Sequence, residues 1–221
     1  MRERIEIKKS RAAEIYLSLK DDIIYLRLKP GEMLTEQYLA NIYKTSKTPV
    51  REALMHLSSE NFITVLPHKG YMVTNIPYSD LHDLSRFRSV LECGCIEYAA
   101  QYANEEQLNH LESLSANLRA FYDDKPHFSY AGFSNSDFHI YLAQISGNRF
   151  LMESLIKLIE QLQRFLWYST TESLQKVSIA QHYELVKLIR KKRVAEAQAL
   201  MRRHIQETFR EGMDRKNRTV F

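Results

Sequence analysis

The sequence predicts a mainly α chain in two parts. Three helices and a β-hairpin occupy residues 1–76, and an all-α helical bundle follows over 78–221. Three observations predict this. Gly and Pro together number only 11 in 221 residues, which leaves few turns and favours long helices. Apolar residues recur at three- and four-residue steps through most of the chain. The breakers Pro30, Gly31, Pro67, Gly70, Gly132 and Gly147 mostly fall between those periodic segments.

The first helix is expected over 9–28, with Ala12, Ile15, Leu19, Ile23 and Leu26 on one stripe and Lys29-Pro30-Gly31 ending it. A short helix follows from Thr35, a good N-cap, with Leu39, Ala40 and Tyr43 facing inward. Lys44-Thr45-Ser46 makes a tight connection to a third helix that starts near Ser46–Thr48. Pro49 is acceptable there, because a first turn has no use for its missing N–H. Val50, Ala53, Leu54 and Leu57 form the buried face of that helix. Two β-like runs, Phe62–Leu66 and Tyr71–Thr74, are joined by Pro67-His68-Lys69-Gly70, a hairpin-length turn. Three helices and a hairpin in this order make a winged helix-turn-helix. Ile76-Pro77 reads as a linker, and about six helices follow it. The clearest spans 148–168, with Leu151, Leu155, Leu158, Leu162 and Leu166 on one stripe.

Composition narrows the class. No stretch approaches the roughly 18 uncharged apolar residues of a membrane span. The N-terminus has no apolar core behind its charges, so a secretory signal is not expected. Cys93 and Cys95 cannot make a disulfide framework and read as small buried hydrophobes. The expected compartment is the cytoplasm. Net charge is +4; residues 1–76 carry 12 Lys+Arg against 9 Asp+Glu, and the remainder 19 against 18. The basic excess is slight, so the shape of the first part carries the case for a nucleic-acid partner.

A helix-turn-helix places the start of its second helix in the major groove. That start carries Ser46, Lys47 and Thr48, with Arg51 one turn on along the same face. Arg and Lys suit guanine edges or phosphate, and Ser and Thr suit phosphate or either kind of base edge. The hairpin tip adds His68, Lys69 and Gly70. The plainer reading of these residues is a solvated face.

In the second part, polar residues sit on apolar stripes. Arg88 shares a stripe with Leu81, Leu84, Leu91 and Cys95. A buried guanidinium needs an anion, either Glu92 or another internal carboxylate, or the carboxylate of a bound ligand. His139, His182 and His204 each lie on the inward stripe of a different helix. One such His is usually a hydrogen-bonded core residue. Three converging on one interior point to a metal site, with zinc, nickel or manganese all compatible.

At these residues the chain resembles the GntR family of bacterial transcription regulators. Lys29-Pro30-Gly31-x-x-Leu34-x-Glu36-x-x-Leu39-Ala40 looks like its opening signature, and Ser46-Lys47-Thr48-Pro49-Val50-Arg51-Glu52-Ala53-Leu54 its recognition helix. Leu57, Glu60 and the Pro67…Gly70…Val73 wing complete it. Lys47 stands where Arg is usual, and Asn61 where Gly is usual. The second part resembles the FCD ligand-binding domain of the FadR-type branch, through Arg88-x-x-Leu91-Glu92, Asn135-x-x-Phe138-His139, Ser146-Gly147-Asn148, His182 and His204. The resemblance implies a homodimer that binds palindromic double-stranded DNA. It also implies a divalent metal on an Asp and three His, which helps to hold a small carboxylate effector together with Arg88. Asn135 occupies the Asp position, so it enters the expected metal and effector sets with a neutral carbonyl oxygen. Asp137 lies about 200° around the helix from His139 and cannot substitute.

The expected function is therefore a ligand-responsive regulator, a repressor by preference. Two alternatives stand beside it: a DNA-binding regulator that has lost metal and effector sensing, and a metal-dependent hydrolase built on the three His.

Overall fold

A computed structural model describes residues 10–75, 78–124, 131–169 and 172–218, with the side chains of 78, 117–124, 131–135, 166–169, 172–175 and 215–218 outside the description. The expected linker Ile76-Pro77 and the Leu166 side chain fall outside the described residues. The chain is mainly helical and divides into two compact units, Met1–Ile76 and Pro77–Phe221. No described helix is long and apolar enough to cross a membrane.

In the first unit, α1 (Arg11–Ile24) starts at the Ser10 cap, whose hydroxyl accepts from the Ala13 N–H. It ends four residues earlier than its stripe predicts. Leu26 turns left-handed at φ 58°, just past the Tyr25 cap, and Leu28 N–H closes back on the Asp22 carbonyl. The chain then enters β1 (Met33–Leu34), a strand the sequence reading lacks. Thr35 caps α2 (Glu36–Ile42) through its side chain, as expected. α3 (Lys47–Ser59) begins after Ser46 and buries Val50, Ala53, Leu54 and Leu57. The left-handed Asn61 (φ 62°) then leads into β2 (Ile63–Leu66) and β3 (Gly70–Val73).

The hairpin is therefore a three-stranded antiparallel sheet in the order β1-β3-β2, with Leu34 opposite Tyr71 and Val65 opposite Tyr71 on the other side. Ile15, Leu19, Ile23, Leu34, Leu39, Leu54, Leu57, Phe62 and Val73 pack into one core beneath it. Lys20 is buried at its margin, bonded to Tyr16 Oη and Glu60 Oε2 at 2.9 Å each, with its ammonium over the Phe62 ring, 5.1 Å from the centroid.

The second unit holds α4 (Tyr78–Tyr102), α5 (Glu105–Asp124), α6 (Ala131–Ile145), α7 (Arg149–Ser169), α8 (Glu172–Arg190) and α9 (Val194–Arg218). α4 packs against α6, α7, α8 and α9, so its inward side chains reach the middle of the bundle. Leu155, Leu158 and Leu162 of the α7 stripe read from sequence are buried, Leu151 is half-buried, and Ile159 is buried beside them.

The wing depends on one glycine. Gly70 has φ 107°, and a Cβ there would lie 2.6 Å from the Leu34 carbonyl oxygen, a backbone atom of β1 that cannot step aside cheaply. Gly70→Ala is expected to cost about 2 kcal/mol of stability, read from urea unfolding against the wild-type protein.

Candidate metal centre and nucleic-acid interface

The bundle interior brings His139 of α6, His182 of α8 and His204 of α9 together. Their ligand nitrogens all lie within 4.8 Å of one another, and all three rings are buried. His139 Nδ1 lies 2.6 Å from Glu92 Oε2, and the other Glu92 oxygen accepts from Arg88 Nε at 2.6 Å. Arg88 and Glu92 stand one turn apart on α4 and are both buried. The internal ion pair weighed for Arg88 is thus present. His204 Nδ1 lies 2.8 Å from Gln181 Oε1, while Gln181 Nε2 donates to Glu207 Oε2. The Glu207 bond fixes which end of the Gln181 amide is oxygen.

These partners fix the tautomers. A carboxylate and an amide oxygen only accept, so His139 and His204 each carry hydrogen on Nδ1 and a lone pair on Nε2. The two Nε2 atoms face each other at 3.3 Å. Two lone pairs at that distance repel unless a cation lies between them. A tetrahedral zinc with nitrogens at about 2.0–2.1 Å sets its ligands roughly 3.3–3.4 Å apart. His182 adds a third imidazole. Both of its nitrogens are buried without a hydrogen-bond partner among the described residues, and its ring stacks on Phe138 with centroids 3.8 Å apart. An orphaned imidazole, a pair of opposed lone pairs and second partners that orient two of the rings fit a divalent cation held by three nitrogens. Asn135 lies on α6 one turn before His139, and its side chain is outside the described residues.

Burial holds all three imidazoles well below their ordinary pKa of 6.5; Arg88 reinforces the effect at each ring, and neighbouring imidazoles do so at His182 and His204. The rings are therefore neutral at pH 7, the state in which imidazole ligates metal.

The sequence reading missed Gln181 and Glu207 as participants, and it named Glu92 only as a partner for Arg88. The spacing of Glu92, four after Arg88 on the same helix, carried that signal. Nothing in the sequence marked Gln181 beyond its place beside His182.

In the first unit, Ser46, Lys47 and Thr48 open α3 on its exposed side. Arg51 follows on the same face with its side chain 63% exposed. It does not stand free. Its Nε and Nη2 donate to the two oxygens of Glu36 on α2, each at 2.8 Å, and Tyr71 Oη of β3 donates to Glu36 Oε1 at 3.0 Å. The Arg51 guanidinium, and after it the Tyr71 hydroxyl, hold the Glu36 carboxyl below its usual range. His68 and Lys69 are exposed at the wing turn, whereas Gly70 is half-buried against β1.

Two outcomes follow for the metal centre. Gln181→Met removes the acceptor that orients His204 and is expected to weaken zinc binding about 10-fold or more, measured by competition with a chromophoric chelator. The second concerns pH. Below about 6.5 the unfolded chain protonates these three histidines and the folded metal-free chain does not. The unfolded state then binds more protons, so stability falls as pH falls. Calorimetry of chelator-treated protein is expected to show Tm declining between about pH 7 and pH 5, with a shallower decline in His182→Gln.

Comparison with known proteins agrees with both halves. Residues 11–73 match the bacterial regulatory proteins of the gntR family, and residues 83–207, more than half of the chain, match the FCD domain. The Nta operon transcriptional regulator of Aminobacter aminovorans is 29% identical over 183 residues, covering 82% of this chain and 84% of the relative. The HTH-type transcriptional repressor RspR of Escherichia coli (strain K12) is 25% identical over 195 residues, covering 88% and 85%. Among solved structures, E. coli McbR/YncC shares the fold with a TM-score of 0.78 at 22% identity, over 94% of this chain and 99% of that one. The relatives are transcriptional regulators, which sets aside the hydrolase alternative. The chain belongs to the GntR family of bacterial regulatory proteins and is a DNA-binding transcriptional regulator with an FCD domain.

Proposed function

We propose that this regulator is an effector-responsive repressor that binds a palindromic operator as a homodimer. The observation that carries the DNA reading is the opening of α3. Its polar and basic side chains are exposed while Val50, Ala53, Leu54 and Leu57 anchor its underside in the core. Ser46, Lys47, Thr48 and Arg51 contact the major groove, and His68, Lys69 and Gly70 approach the backbone or the minor groove. One module of this size makes few contacts, and two-fold pairing doubles them. The repressor direction is supported by the likeness to RspR, itself a repressor. The place of action is the cytoplasm, where the operator lies.

The second unit senses a small carboxylate. His139, His182 and His204, with Asn135, hold a divalent cation, which supplies Lewis-acid coordination to the effector when bound. Arg88 binds the carboxylate through the guanidinium nitrogens that Glu92 does not use. Glu92 keeps both Arg88 and His139 oriented toward that interior. An effector that fits one arrangement of these helices better than another shifts operator affinity. Coupling of about 1–3 kcal/mol changes it roughly 5- to 150-fold.

Two variants test the reading together. Arg51→Ala is expected to weaken binding to the protein's own upstream promoter DNA at least 10-fold at fixed salt. His182→Ala combined with His204→Ala is expected to abolish metal content by elemental analysis and to remove any carboxylate effect on that binding. Unchanged DNA affinity in the first overturns the α3 assignment. Wild-type protein that takes up no metal after incubation with zinc overturns the metal centre and favours a regulator without sensing.

A further inference from the structure

The contact between Arg51 and Glu36 bears on how this protein tells one DNA sequence from another. It rests on the reading of α3 as the DNA-contacting helix. Arg51 donates side-on, through Nε–H and one Nη2–H, to the two Glu36 oxygens at 2.8 Å. Three of its five N–H groups remain. Two of them, one on each Nη, form the end-on fork that matches guanine O6 and N7. The carboxylate is itself pinned, because Tyr71 Oη donates to it at 3.0 Å from β3. One carboxylate thus ties α2, the wing strand and the exposed face of α3 together, and its own side chain is only 18% exposed.

Charge favours a base over a phosphate as the target. A free arginine attracts phosphate anywhere along a duplex. Arg51 and Glu36 together are neutral, so the pair gains little from the general field of the backbone. What remains is a guanidinium of fixed direction with one fork to offer. We infer that Glu36 is a specificity-determining positioning residue: it aims Arg51 end-on at a guanine and cancels the charge that would bind DNA of any sequence.

The test uses full-length protein. A duplex is first selected from a random-sequence pool by the wild type. Affinity is then measured for that duplex and for a scrambled one of equal composition, between about 50 and 200 mM salt. Glu36→Gln is expected to bind the scrambled duplex more tightly, with a salt slope steeper by about one per subunit. Its preference for the selected duplex falls about 10-fold or more. Tyr71→Phe shifts the preference the same way by less. Glu36→Asp keeps the charge and shortens the reach, so its salt slope stays at the wild-type value while the preference falls; it carries the test if Glu36→Gln does not fold. A structural role alone would lower Tm and weaken both duplexes in proportion with an unchanged slope, which overturns the inference. Wild-type enrichment with an unaltered preference in both Glu36 variants overturns it alone. Failure of the wild type to enrich any duplex overturns it together with the α3 assignment.

Discussion

A carboxylate closed off from water sets the geometry of the bundle interior. Glu92 is fully buried, with Arg88 on one oxygen and His139 on the other. Burying an ion costs several kcal/mol unless good hydrogen bonds compensate it. That requirement propagates. Arg88 must offer Nε to Glu92, and His139 must turn its Nδ1–H outward. Nε2 of His139 is then left to meet Nε2 of His204, which Gln181 and Glu207 orient from the far side. The run from Arg88 to Glu207 crosses α4, α6, α8 and α9. Each member restricts the next, so three imidazoles hold a common focus without any one helix being specialised for it.

The first unit uses the same device under different physics. There too a carboxylate, Glu36, orients a basic side chain, the exposed Arg51. But Arg51 lies in water, where an ion pair adds little to stability. Its consequence is direction, whereas at Glu92 direction and stability cannot be separated. Tyr71 replaces burial as the means of fixing the carboxylate. This is why one wing strand takes part in presenting a helix that it does not itself belong to.

Much of this was legible because it follows a period. Val50, Ala53, Leu54 and Leu57 repeat at three and four, so the underside of α3 and the exposure of Lys47 and Arg51 could be read together. His139, His182 and His204 were legible as polar residues on apolar stripes. β1 was not, because two residues have no period; Met33–Leu34 becomes a strand only by pairing with β3. The end of α1 was placed too late for a related reason. Leu26 continues the apolar stripe, yet its left-handed backbone is set by the need to carry the chain to β1. Gln181 and Glu36 escaped as site residues because their significance lies in which partner they meet, and spacing along one helix does not encode a contact between helices.

The polar interior also decides how stability and sensing are related. Each buried donor or acceptor without a partner costs about 1–3 kcal/mol, and His182 presents two such nitrogens. A leucine at that position would bury the same surface without the penalty. Structural zinc in zinc-finger peptides contributes on the order of 10 kcal/mol, so a cation bound a good deal more weakly by three imidazoles would still offset the cost of the orphaned nitrogens. On the proposed reading, the centre of the bundle would be stabilised by the cation that it binds. On that same reading the nitrogens serve both the fold and the ligand, so whatever competes for them would change the packing of α6, α8 and α9 at once, and a small molecule would act on the whole unit through three side chains.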